Sequence, residues 1–127
     1  MASTETFELE YIVRSSPRIL YNFLRTPSGL SEWFSDEVDI RDDIFTFRWD
    51  GSEEKAKLVD YKDQEFVHFE WIEGEKEGLS FEMRVKVDDL TGGVALLIKD
   101  EAEPEEVEET RRLWDAQVQE LMQVLGS

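Results

Sequence analysis

The sequence predicts an α+β fold in which one long amphipathic helix lies across a single antiparallel sheet. Three observations carry that expectation. From Pro104 to Leu125 the chain repeats apolar side chains at helical spacing: Val107, Trp114, Val118, Leu121 and Leu125 share one face, and Leu113 and Met122 widen it. Between residues 44 and 98 apolar and polar residues alternate with period two in short segments separated by turn residues. Only two other helix starts are signalled, both just after the first strand.

The totals suit one domain spanning 1–127. A chain of this size buries about two thirds of the surface it exposes when unfolded. Eight Phe, four Trp and three Tyr supply the apolar bulk for a core. The formal net charge is −17, which argues against nucleic acid and anionic membrane partners, since both reward clustered Lys and Arg. It leaves a basic protein as the complementary kind of partner. There is no cysteine, so disulfides, thiol catalysis and Cys-ligated metal centres are excluded. The opening MASTETFELE has neither a basic n-region nor an apolar h-region, and no apolar run reaches the ~20 residues of a membrane span. The expectation is a cytoplasmic protein without membrane insertion.

Taken in order, Phe7, Leu9, Tyr11 and Val13 alternate with Glu8, Glu10, Ile12 and Arg14, as in a strand with one buried face. Ser16-Pro17 then places a hydroxyl cap before a proline whose missing N–H costs nothing in a first helical turn. Thr26-Pro27 repeats the device. Two short helices follow, over 17–25 and 28–34, with Ile19, Leu20, Phe23 and Leu24 on one apolar face and Leu30, Trp33 and Phe34 on the other. Residues 35–43 form an acidic connection with room for a short strand over 37–40.

Phe45, Phe47 and Trp49 alternate with Thr46 and Arg48, and Asp50-Gly51 is a hairpin turn. The return strand, 53–61, turns Ala56 and Leu58 inward. Val67, Phe69 and Trp71 face one way and His68 and Glu70 the other. Leu79, Phe81, Met83, Val85 and Val87 oppose Ser80, Glu82, Arg84 and Lys86. Gly92-Gly93 turns the chain into residues 94–98, which are apolar on both faces and so are expected to be covered on both. Short turns between successive strands favour antiparallel neighbours.

The order strand, helix, helix, meander, long helix, with the wording Ser16-Pro17, Thr26-Pro27, Leu30 and Trp33-Phe34, resembles the START-like superfamily. That group contains the birch-pollen-allergen fold, polyketide cyclases, lipid carriers and the activators of a heat-shock ATPase. The likeness is greatest to the activator branch and to small bacterial START-like proteins. It implies a helix-grip fold: a curved antiparallel sheet of about six or seven strands around the C-terminal helix. It also implies, for many relatives, a cavity between sheet and helix that holds a lipid, sterol or polyketide, while others act through protein contacts.

The expected ligand surface is the inward aromatic and apolar set: Tyr11, Phe45, Phe47, Trp49, Phe69, Trp71, Phe81 and Met83 from the sheet, with Trp114, Val118 and Leu121 from the helix. Apolar pockets with a few polar anchors are the usual small-molecule sites, but the same residues would equally fill a closed core. Tyr11, Tyr21, Trp49 and Trp71 carry polar tips that need partners if buried. His68, the single histidine, falls on the polar face of its strand, where cross-strand charge pairs account for it. No nucleophile motif, metal-ligand spacing or phosphate loop occurs, so no catalytic residue, metal or cofactor is expected. The acidic run 100–109 (seven acids in ten residues) and the group Asp36, Glu37, Asp39, Asp42, Asp43 and Asp50 are read as solvated faces.

Three functions remain open. The first is a non-enzymatic binding module for a small apolar molecule. The second is a closed-core interaction or co-chaperone-like module that uses its acidic surface. The third is a cyclase- or hydrolase-like enzyme, which would need polar groups inside the cavity.

Overall fold

The computed structural model describes residues 3–126. The first two residues of the opening segment and the last residue of the expected 1–127 domain lie outside that range. Among the described residues the alternating segments form one seven-stranded antiparallel sheet of order β1-β7-β6-β5-β4-β3-β2. The strands are β1 (Glu5–Val13), β2 (Glu37–Arg41), β3 (Ile44–Trp49), β4 (Ser52–Lys62), β5 (Phe66–Trp71), β6 (Ser80–Val87) and β7 (Val94–Ala102). The helices are α1 (Pro17–Arg25), α2 (Pro27–Leu30) and α3 (Val107–Leu125), and a 3-10 turn over Pro104–Glu106 leads into α3. This is the helix-grip arrangement.

The proline caps work as their chemistry requires. Ser16 Oγ accepts from the Ile19 N–H at 3.2 Å. Thr26 serves both short helices: its hydroxyl donates to the Asn22 carbonyl at 2.8 Å and accepts from the Gly29 N–H at 2.9 Å. The second helix differs from its expected span. It ends at Leu30, and hydrogen-bonded turns, including Phe34 N–H to the Leu30 carbonyl at 2.9 Å, carry the chain to Phe34. At the far end Gly126 closes α3 in the left-handed conformation (φ 74°), which glycine reaches without a Cβ clash.

Register places the inner face. Phe7 lies opposite Asp100, Leu9 opposite Ile98 and Tyr11 opposite Leu96. Met83 faces Ile98, Phe81 faces Phe69, and Trp71 faces Ala56. A β-bulge between Leu58 and Asp60 shifts the β4–β5 register, and such bulges bend a strand. The core is continuous from this face to Leu20, Leu24 and Leu30 of the short helices and to Trp114, Val118 and Leu121 of α3. On α3, Glu108, Arg112, Asp115, Gln119 and Gln123 are exposed, but Leu113 is also 58% exposed, so the buried stripe is narrower than its spacing suggests.

Two expectations are corrected here. The last strand does not stop at residue 98 but runs to Ala102. Asp100 therefore leaves the solvated acidic run: it takes the inward side of the pleat, two residues after Ile98, and is only 9% exposed. The outer face of β7 is only partly covered, and Lys99 on it is exposed. Ala95 is buried and Leu97 half-buried, with Glu10 and Arg84 flanking Leu97 across the register.

Candidate functional site

The deep part of the sheet–helix interior is filled. Phe45, Phe47, Phe69, Met83, Val118 and Leu121 have at most 1% exposure. Phe45 and Phe69 meet edge to face at 5.0 Å, and Phe69 stacks on Phe81 at 5.2 Å between ring centroids. These offset and edge contacts are the arrangements aromatic quadrupoles prefer, and they leave no room for a guest.

At one end of the inner face the packing opens into a cleft of about 270 Å³. Its walls are Phe34, Trp49, Trp71 and Phe81, together with Trp114, Leu113, Thr110 and Gln117 of α3. Ser52, Glu54, Lys76 and Asp100 supply its charged and polar remainder. Of the expected ligand surface, Trp49, Trp71, Phe81 and Trp114 come together here. Phe45, Phe47, Phe69, Met83, Val118 and Leu121 lie in the core beneath, and Tyr11 sits apart on β1.

Phe34 joins the two layers of the cleft. Its carbonyl accepts from Trp49 Nε1 at 3.0 Å and from Gln117 Nε2 at 2.8 Å, one donor from the sheet and one from α3. Its ring stacks on Phe81 at 5.6 Å and leans on Trp114 at 5.7 Å. The next residue, Ser35, is buried with its hydroxyl 2.7 Å from the Arg48 carbonyl, which fixes the turn that delivers Phe34.

Asp100 is the buried acid of the site. Its Oδ2 accepts from Trp114 Nε1 at 2.7 Å, and its Oδ1 accepts from the Glu101 backbone N–H at 2.7 Å. Burial pushes its carboxyl above the ordinary aspartate range, and these two N–H donors and the charge of Lys76 oppose the shift. Lys76, in the loop between β5 and β6, places its ammonium 5.4 Å from the centre of the Trp71 ring. Among the described residues no cation lies within ion-pair distance of Asp100, and no group of three acids or histidines could hold a metal ion.

The hydroxyl tips of Tyr11 and Tyr21 are satisfied locally. Tyr11 Oη donates to Asp115 of α3, and its hydroxyl pKa is raised by burial and by that bond. Asp115 is exposed, so the pair is a surface clasp and not a carboxylate–tyrosine pair inside the cleft. Tyr21 Oη donates to the Phe66 carbonyl at 3.2 Å, tying α1 to β5. His68 lies half-buried on the outer face, in register with Asp60 and Glu82.

Sequence reasoning missed Phe34, Asp100, Glu54 and Gln117 as site residues, although signals for three of them exist. Asp100 continues the parity of Leu96 and Ile98, and Glu54 that of Ala56 and Leu58. Gln117 stands three residues after Trp114 on the same helical side. Phe34 lies beyond the end of a helix, in turns that periodicity does not describe. Nothing in the sequence brings Lys76 to the cleft.

A helix-grip sheet with an aromatic cleft at one end of its long helix defines a class of fold, and the comparisons agree with it. The family profile described as a START-like superfamily domain matches residues 1–127. The chain belongs to the START-like superfamily. It is similar to a Bacteroides fragilis protein solved in solution by NMR, with 34% identity over 98% of this chain and 92% of that one and a TM-score of 0.68. The Aha1 dimer of Colwellia psychrerythraea has a TM-score of 0.80 at 14% identity, covering 95% and 96% of the two chains. Protein MLL2253 of Mesorhizobium loti gives 0.76 at 15% identity, covering 96% and 97%. At those identities the last two speak to the fold alone. No curated protein sequence matches the chain.

Among the described residues no helix is long and apolar enough to cross a membrane.

Proposed function

We propose that this protein is a non-enzymatic binding module for a small hydrophobic molecule, held in the cleft between the end of the sheet and α3. The observation that carries the reading is the wall of five aromatic rings, Phe34, Trp49, Trp71, Phe81 and Trp114, open to one side while the rest of the interior is filled. Concave apolar sites with a few placed polar groups are where small molecules bind. The volume lies just under the usual ~300–1,000 Å³, so the ligand, or the part of it that enters, is compact. Within the set expected from the sequence, Trp49, Trp71, Phe81 and Trp114 contact it. The deeper residues and Tyr11 support the fold.

Native mass spectrometry of freshly purified protein, followed by thermal melts with fatty acids, sterols and aromatic polyketides, tests the proposal. Three of the four tryptophans line the cleft, so intrinsic fluorescence reports occupancy independently. A co-purifying apolar molecule, or a melting shift that grows with ligand concentration, supports it. Absence of adduct, shift and quenching, with this panel and with charged and neutral octyl probes alike, rejects it.

A second reading is favoured by the filled deep core and the −17 charge: a module that docks a basic protein partner through its acidic surface, as in a co-chaperone. Rejection of the ligand panel, together with salt-sensitive capture of a basic protein, selects that reading. A cyclase- or hydrolase-like activity has less support. Of the two carboxylates that line the cleft, the buried one, Asp100, is bonded to an indole and a backbone amide and not to a tyrosine or histidine.

A further inference from the structure

We propose that the molecule taken by the cleft is a compact organic cation, an amine- or quaternary-ammonium-bearing hydrophobe, whose positive centre sits between Asp100 and the tryptophan faces. This rests on the binding-module reading above and narrows it to a ligand class.

Four observations converge. The first is the buried carboxylate. Asp100 is held at the cleft wall by two neutral N–H donors and has no ion-pair partner among the described residues. A half-compensated buried acid is costly, and a cation brought within a few ångströms offsets that cost. The second is the aromatic wall. Tryptophan faces are the strongest π partners for ammonium groups, and Trp49, Trp71 and Trp114 all reach the same space.

The third observation is Lys76. Its ammonium already lies over Trp71, so one aromatic face of the cleft carries a cation from the chain itself. Lys76 is exposed and sits on a loop between Gly74 and Gly78, so it can withdraw. The fourth is the field. A second cleft shares Lys76, Asp100 and Thr110 with the first and is lined by Glu75, Glu77, Glu101, Glu103 and Glu106. Glu54 adds a carboxylate on the opposite wall. Lys76 is the only basic residue among those lining either cleft. Like charges around a low-dielectric cleft focus the potential and concentrate the opposite ion. A fatty carboxylate would meet repulsion in the same place.

The test uses three probes of one chain length: octyltrimethylammonium, octanol and octanoate, each below its micelle concentration, titrated into the full chain with tryptophan fluorescence and calorimetry. Octyltrimethylammonium should bind at least about tenfold more tightly than the other two. Asp100→Asn and Glu54→Gln should each erase most of that preference. Lys76→Ala should strengthen cation binding, because it vacates the Trp71 face. Glu108→Gln makes the same charge change on the outer side of α3 and should leave binding unaltered, which separates the cleft from the acidic surface in general.

If octanol or octanoate binds as well as the cation, the cation assignment falls while the hydrophobic site stands. Equal weakening by Glu108→Gln and Asp100→Asn also overturns the assignment, because binding would then follow net charge. Should none of the three probes bind while a member of the lipid panel does, the ligand class is wrong; should neither set bind, the binding-module reading itself fails. Ligand-free melts identify any variant that is not folded. If Asp100→Asn is such a variant, Glu54→Gln and Lys76→Ala decide the question.

Discussion

The indole N–H of Trp114 donates to the buried carboxylate of Asp100 at 2.7 Å, fastening the N-terminal half of α3 to an inward position near the end of β7. The bond joins the two layers of the fold at the edge of the cleft. It also explains how an acid is tolerated there, since a buried carboxylate needs donors. Trp114→Phe keeps an aromatic ring, though a smaller one, and removes the donor. It should lower the unfolding free energy by about 1–3 kcal/mol, the range for losing a hydrogen bond to a charged, buried group. Urea denaturation of the two proteins measures it, and an unchanged midpoint would mean that water replaces the indole without loss.

Asp100 also sets a pH dependence. Its folded pKa is raised by burial above the unfolded value of about 3.9. Between those two values the folded state holds more protons than the unfolded state, so stability falls as pH rises through that window. Below the window the neutral acid carries no such cost, and above it the cost is complete. Asp100→Asn lacks this titration. The difference in stability between wild type and Asp100→Asn should therefore shrink or reverse as pH climbs from about 4, then level off. Taking the difference cancels the self-repulsion of the other acids. A difference that rises with pH would contradict the burial argument.

Gly29 allows α2 to approach α1. A Cβ on it would lie 2.5 Å from the Asn22 carbonyl oxygen, 2.7 Å from Phe23 Cα and 2.8 Å from Thr26 Oγ1. Two of these are backbone atoms and the third is the hydroxyl that caps both helices. Alanine normally favours a helix, but Gly29→Ala should destabilise the protein by about 1–3 kcal/mol, as overpacking does. A thermal melt at or above the wild-type midpoint would show that the helix pair relaxes freely.

Docking of α3 is tested by two neighbouring substitutions. Val118 is 1% exposed in the seam and Gln119 is exposed. Val118→Asp buries a charge with no partner and should cost about 4 kcal/mol or more, enough to unfold a marginal domain. Gln119→Asp should stay within about 0.5 kcal/mol. Equal melting temperatures for the two would mean that α3 does not cover the sheet.

Much of the architecture was legible because it depends on local periodicity. Ser16 and Thr26 announce their helices through the caps they make, and Phe81, Met83 and Val85 announce their face by alternation. The end of β7 was less legible. The apolar run stops at Ile98, and Asp100 reads as the first of the acids that follow it, although its parity is that of the core. Charge suggested solvent where the pleat dictated burial.

The sequence by itself determined one long helix over an antiparallel sheet, the inward face of most strands and most of the buried stripe of α3, because periods of two and 3.6 are properties of the backbone, while the helix-grip class followed from the resemblance carried by Ser16-Pro17, Thr26-Pro27 and Trp33-Phe34. Only the tertiary structure decided that Phe45, Phe47 and Phe69 close the interior while Trp49, Trp71, Phe81 and Trp114 border an opening. Both sets have the same pattern along the chain. Which rings touch one another and which face a gap depends on register, on the bulge in β4, and on where Phe34 and α3 come to rest. Those are distances between residues far apart in sequence, and no local period encodes them.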